Sequence, residues 1–201
     1  MIRLDDEEKE KEAKDIPPSG PVEKALFGAR IVMLTGEVND MQARRVTERL
    51  FALAAEDENA PITFVVSSPG GHVESGDMIH DVVKFIKPRV KMLGTGWVAS
   101  AGALIFASAP REDRFCLPNT RFLLHEPRGG VGGSASDVEI QAREILRMRE
   151  RLNNIFANAT GQTLDRIKKD TDRDLWMFPQ EALDYGLVGK IVGSQAEFDA
   201  N

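Results

Sequence analysis

Ser100 is the residue in this sequence best placed to attack a carbonyl. The run Val90 to Leu93 reads as a buried strand and Ala101 to Ala109 as a buried helix, so its hydroxyl falls at a strand-to-helix junction. Unpaired N–H groups in a first helical turn favour the negative charge that develops when a serine attacks a carbonyl. Ala99, Ala101 and Gly102 are small enough for a substrate to come close. A base must then come from three histidines. His125 ends the strand Thr120 to Leu124, at the strand end where open α/β sheets carry their sites. His72 lies beside the glycine pair Gly70 and Gly71, and His80 lies inside a helix and reads as a surface residue. Asp170, Asp172 and Asp174 each offer a carboxylate that could orient an imidazole.

Plainer explanations compete for the same residues. Ser100 could be a simple helix N-cap. The uncharged stretch between Lys91 and Arg111 approaches the ~20 residues of a membrane span, but Gly94, Gly96 and Gly102 punctuate it and a soluble core suits it better. The G-x-S-x-G elbow of α/β-hydrolases is excluded, because Val98 stands where the first glycine belongs. S-S-P-G-G at Ser67 to Gly71 could be a tight turn, or a loop whose N–H groups face a ligand.

The elements that must position these groups alternate. Strands are expected at Arg30–Thr35 and Ile62–Val66, and helices at Asn39–Ala55 and Val73–Ile86. The second strand lacks polar alternation, which predicts a parallel sheet covered by helices on both faces. R-G-G-V-G-G-S follows His125, and its exposed backbone at Gly129, Gly130, Val131 and Gly132 could pair with an extended peptide. Ser136 and Glu139 form a capping-box pair opening a helix to about Thr160. Val138, Ile145, Leu152 and Ala159 repeat every seventh residue there, with Met148 and Ile155 offset by three. At ~1.5 Å per residue that helix outruns a domain of this size, so another subunit is expected to cover it. A last strand is expected at Leu187 to Val192.

Composition narrows the class. The 201 residues suffice for one domain plus a tail, and a net charge of −6 without a basic cluster argues against nucleic acid. The only cysteine, Cys116, lies in a strand-like run and reads as a core thiol. No signal peptide, metal-ligand cluster or phosphate-binding glycine motif is visible, so a cytoplasmic protein without a metal or cofactor is expected. Residues 5–15 are almost wholly charged, and Pro17, Pro18 and Gly20 separate a disordered segment, residues 1–20, from a domain at 21–196 and a tail at 197–201.

The ordered motifs resemble those of the Clp protease proteolytic subunits, the ClpP family of the crotonase-like fold. They are S-P-G-G at Ser68, F-I-K-P at Phe85, A-S-A-G around Ser100, R-F-C-L-P-N at Arg114 and H-E-P at His125. A-R-E-I-L at Ala142, D-T-D-R-D at Asp170 and E-A-L-D-Y-G-L-V at Glu181 complete the set, over about Arg30 to Val192. The resemblance implies an α/β fold of repeated β-β-α units with a long protruding oligomerisation helix. It implies a serine endopeptidase with Ser100 as nucleophile, His125 as base, Asp174 as orienting carboxylate, and the Gly71 and Ala101 N–H groups as the oxyanion hole. It further implies two stacked heptameric rings enclosing a chamber for unfolded polypeptides, with Asp172 and Arg173 helping the rings to stack. The implied partner is an AAA+ unfoldase of the Clp type, which consumes the ATP; a paralogous ClpP subunit is a further candidate. Where the family carries apolar and aromatic residues before the first strand, this chain has D-D-E-E-K-E-K-E, and Thr63 and Val65 replace frequent tyrosines. That alteration motivates an alternative, a structural subunit completing a mixed ring. A crotonase-type acyl-CoA enzyme shares the fold but has no need of the serine and histidine.

Overall fold

The computed structural model describes residues 20–130 and 132–201; most of the charged segment at 1–20, and Val131, lie outside them. Helix α1 (Pro21–Gly28) leads into strand β1 (Ile31–Thr35), then α2 (Asp40–Glu56), β2 (Ile62–Ser68), α3 (Val73–Phe85) and β3 (Val90–Ala99). Helix α4 (Ala101–Phe106) and strands β4 (Arg114–Cys116) and β5 (Arg121–Leu124) follow. The long α5 (Ala135–Thr160), α6 (Leu164–Thr171), β6 (Leu175–Met177), α7 (Pro179–Tyr185), β7 (Lys190–Ile191) and α8 (Gln195–Asp199) complete the chain.

The sheet runs β1-β2-β3-β4-β7, all parallel, while β5 pairs in parallel with the end of β3 and antiparallel with β6. Ile62, Phe64 and Val66 on β2, Val32 and Leu34 on β1 and Met92 on β3 are fully buried in the main core, together with Leu50 and Leu53 of α2 and Ile79 of α3. The opposite face is only partly covered. Met33, Thr63 and Val65 share it and are exposed or half-buried, contrary to the expectation of helices on both faces. Towards β4 a second cluster of Phe115, Val192 and Phe198 closes that face. Phe198 is 7% exposed, so the packed body continues through α8 rather than ending at residue 196.

Three local expectations differ from what the chain does. Strand β3 runs on through Gly94, Thr95 and Gly96 to Ala99, because its second half is paired by β5. Helix α4 stops at Phe106 rather than Ala109. The cap of α5 is Ser134, whose Oγ accepts from the Asp137 N–H, while Asp137 Oδ2 accepts from the Ser134 N–H at 3.0 Å; Ser136 lies inside the helix. Aspartate closes this box in place of the usual Glu or Gln.

About 39 Å long at ~1.5 Å per residue, α5 packs on the body only through its C-terminal half, where Leu152, Asn153 and Phe156 are buried. Ile140 and Leu146 of the N-terminal half are more than half exposed, and Val138 is about one-third exposed.

Candidate active site

Three strand ends converge. Strand β3 delivers Ser100, β5 delivers His125, and β6 is preceded by Asp174. The Ser100 N–H donates to the Leu123 carbonyl at 2.9 Å, and Ala99 pairs with Leu123, so the serine is pinned to the strand that carries the histidine. Across the antiparallel β5–β6 pair, Leu124 faces Leu175. The ladder ends there, with His125 directly after Leu124 and Asp174 directly before Leu175, so both flank its last pair.

Ser100 carries φ 55° and ψ −121° and is one of two non-glycine residues with positive φ among the described residues. A non-glycine residue there costs ~1–3 kcal/mol unless its surroundings over-determine it. Those surroundings are visible: the backbone bond to Leu123 on one side and the glycine loop on the other. Its side chain makes no N-cap hydrogen bond, which removes the plain capping explanation.

The loop after β2 presses directly on the serine. A Cβ added at Gly70 would lie 2.5 Å from the Ser100 Cβ and 3.0 Å from its Oγ, and Gly70 adopts φ 99°. At Gly71, with φ 144°, a Cβ would meet the Val38 carbonyl at 2.2 Å. Glycine is therefore required twice. The Val38 N–H donates to the Gly70 carbonyl and the His72 N–H donates to the Val38 carbonyl, both at 2.8 Å. This bridge occupies the groups flanking Gly71, and in a parallel ladder the Gly71 N–H then points away from Val38. Beneath the loop, buried Ser68 accepts from the Gly70 N–H at 3.1 Å.

Each histidine has a distinct environment. His125 is half-buried and its Nδ1 lies 2.6 Å from the Glu126 carbonyl, which makes Nδ1–H the donor and leaves Nε2 as an acceptor. His72 belongs to the loop's support: its Nδ1 contacts Ser75 Oγ at 2.8 Å, and that hydroxyl donates to Asp40 at 2.6 Å, joining α2 to α3. His80 is 6% exposed, so its reading as a surface residue is corrected.

The carboxylates separate by their neighbours. Asp170 accepts from the Tyr185 hydroxyl at 3.0 Å and pairs with Arg166, and Asp172 and Arg173 are exposed beside each other. Asp174 is the one that adjoins the last β5–β6 pair, as His125 does, and its partner is Arg128, in the segment after His125. Among the described residues no hydrogen bond joins Ser100 to His125 or His125 to Asp174. Arg128 was not foreseen, and its only signal was a cation between H-E-P and a glycine run.

Gly132 is committed to α5, donating to Gln141 Oε1 and accepting from its Nε2, each at 3.2 Å. Gly129 and Gly130 remain exposed. Helix α5 also reaches the site, because Arg149 pairs with Glu126 and the Glu126 N–H donates to the Thr171 carbonyl at 2.9 Å. Among the described residues no helix is long and apolar enough to cross a membrane.

A glycine loop pressed on a strained serine, at a strand end hydrogen-bonded to the strand of His125, gathers the residue types that a nucleophile, a base and its orienter would need. The family model for Clp protease matches residues 19–195, so the chain belongs to the Clp protease family. It is 59% identical to the ATP-dependent Clp protease proteolytic subunit 3 of Rhizobium etli, over 96% of this chain and all of that one. With a proteolytic subunit of Paracoccus denitrificans the identity is 58% over 83% of each chain. The solved structure of a ClpP1 variant from Listeria monocytogenes is similar at a TM-score of 0.81 and 48% identity, covering 87% of this chain and 98% of that one.

Proposed function

We propose that this chain is a serine endopeptidase, with Ser100 as nucleophile, His125 as general base and Asp174 as its orienting carboxylate. The observation that carries the reading is the contact of Gly70 with a serine held at positive φ, on a strand end hydrogen-bonded to the strand of His125. Ser100 Oγ attacks the peptide carbonyl as His125 Nε2 takes its proton. The resulting oxyanion is received by the Gly71 and Ala101 N–H groups, and the proton passes to the leaving amine. Water, deprotonated by the same imidazole, then releases the acyl group. Gly129 and Gly130 supply the backbone against which an extended substrate lies.

Assembly completes the site in this reading. The free half of α5 packs between two stacked seven-membered rings, with Asp172 and Arg173 at the contact, and the glycine segment and Glu126 transmit that packing to His125. A Clp-type unfoldase using ATP feeds unfolded chains to the chamber, docking on the face that exposes Met33, Thr63 and Val65. The "subunit 3" and "subunit 2" in the names of relatives support a mixed ring with a paralogue. A purely structural subunit is disfavoured by the intact Ser100, His125 and Asp174.

The test is a fluorophosphonate probe on assembled protein, followed by peptide mapping. Label on Ser100, lost after denaturation and in Ser100→Ala, is expected; label elsewhere, or none on an assembled ring, overturns the assignment.

A further inference from the structure

At the end of α4 remote from Ser100 lies a cavity of about 490 Å³, walled by α3, the segment Ala107–Arg111, β4 and the C-terminal end of α5. Its lining includes His80, Lys84, Arg111 and Arg114, with the neutral Ser108 and Asn158, and contains no carboxylate. Arg114 is 1% exposed. One of its nitrogens, Nη2, donates to the Ala159 carbonyl in the last turn of α5 at 2.5 Å. The other two, Nε and Nη1, are buried without a hydrogen-bond partner, and among the described residues they are the only such side-chain atoms.

Capping α5 explains one of the five N–H donors of this guanidinium; the unpartnered nitrogens carry three. A buried cation without a counter-charge is costly, and unmade bonds to a charged group cost more than neutral ones. Burial first and the neighbouring Arg111 second lower the Arg114 pKa to about 10, against a smaller opposing pull from Glu112, which still leaves it charged at neutral pH. The nearby acids are committed elsewhere or lie outside the cavity: Asp113 pairs with Arg89, Asp81 contacts His80 Nδ1 at 3.1 Å, and Glu112 does not line it. Arg111 donates to the Leu183 carbonyl at 2.9 Å, which anchors it at the rim, and Lys84 is exposed on the last turn of α3.

We propose that this cavity binds an oxyanion, a phosphate or carboxylate group, seated over Arg114 and held at the rim by Lys84 and Arg111. The bound group would tie α3, the exit of α4 and the C-terminus of α5 together from the side opposite the catalytic serine. The same chemistry can be supplied by free phosphate or by a carboxylate of a second copy of this chain.

Titrating the full-length protein with inorganic phosphate against chloride at matched ionic strength, in assembled and dissociated states, separates the two sources. Phosphate-31 line width and melting temperature report binding. A free-anion site gives saturable binding in both states, weakened at least tenfold by Lys84→Gln and by Arg111→Gln. A neighbour's carboxylate gives phosphate binding to dissociated chains only, with phosphate and Lys84→Gln both shifting the assembly equilibrium in sedimentation. Because Lys84 is exposed, its replacement leaves the fold intact, and Arg114→Lys, which keeps the charge but not the fork, should bind more weakly than wild type. Absence of phosphate binding in both states, or equal binding by wild type and the Lys84→Gln, Arg111→Gln double variant, overturns the proposal and leaves water as the partner of Arg114.

Discussion

Asp174 is bound by Arg128 and not by His125, although the two residues flank the last pair of the β5–β6 ladder. The imidazole meanwhile donates to the Glu126 carbonyl. Both groups of the proposed base–orienter pair therefore have other partners, and that of Asp174 is a solvent-exposed cation. Exposed ion pairs contribute ~0–1 kcal/mol. Arg128→Ala should then leave the melting temperature within ~2 °C while raising peptide turnover several-fold, because Asp174 loses its competing partner. Turnover below wild type at unchanged assembly would mean that the pair belongs to the working site instead.

Strain at Ser100 makes stability and activity oppose each other. Ser100→Gly removes the cost of a positive φ, ~1–3 kcal/mol, so the variant should melt a few degrees higher and cleave at least ~10³-fold more slowly. Gly70→Ala should do the reverse to stability, since its Cβ would overlap Ser100 and the Ala99 carbonyl. Calorimetry and short-peptide kinetics on the two variants check both signs; a Ser100→Gly protein less stable than wild type refutes the strain.

Cys116 is fully buried, and burial pushes its thiol pKa up to about 12. At pH 8 only ~1 in 10⁴ thiols is then ionised. Iodoacetamide should leave the folded protein unmodified for hours and label it within minutes in denaturant. Rapid labelling of the native state would show that β4 opens far more readily than its packing implies.

The Asp40 carboxyl is held below its ordinary 3.8 by the Ser75 hydroxyl first and by the His72 charge second. A lowered folded pKa means stabilisation that is present above about pH 4 and lost as pH falls through the folded value. Asp40→Asn should accordingly cost stability at pH 5–7, and that deficit should shrink towards zero below pH 4. Urea midpoints measured from pH 3 to 7 decide it, and a deficit independent of pH would assign the loss to packing at the start of α2.

For the proposed site, the positions of Ser100 and His125 were legible because each ends a recognisable apolar strand. Asp174 was not separable from Asp170 and Asp172 by residue type or spacing. What separates them is the antiparallel pairing of β5 with β6, a contact between segments some fifty residues apart that leaves no local mark. The cap at Ser134 was missed because Asp137 closes the box in place of a longer side chain. Arg114 gave no warning either: an arginine at a strand start reads as a surface residue until α5 closes over it. For α5, the seven-residue repeat correctly marked one face, but only the tertiary structure divides it into a docked half and a free one.

That free half has a consequence for the life of a single copy. It presents Arg143 and Arg147, each paired only with a glutamate of its own helix, flanked by the bare side chains of Ile140 and Leu146. A chain that has not found its partners therefore displays a charged, partly greasy rod with cleavable arginines to every peptidase and holdase around it. Within residues 20–201, trypsin should nick dissociated chains first at Arg143 and Arg147 and spare assembled ones. In the proposed assembly, burying that rod would make completeness its own protection, because an orphan copy stays open to cleavage there.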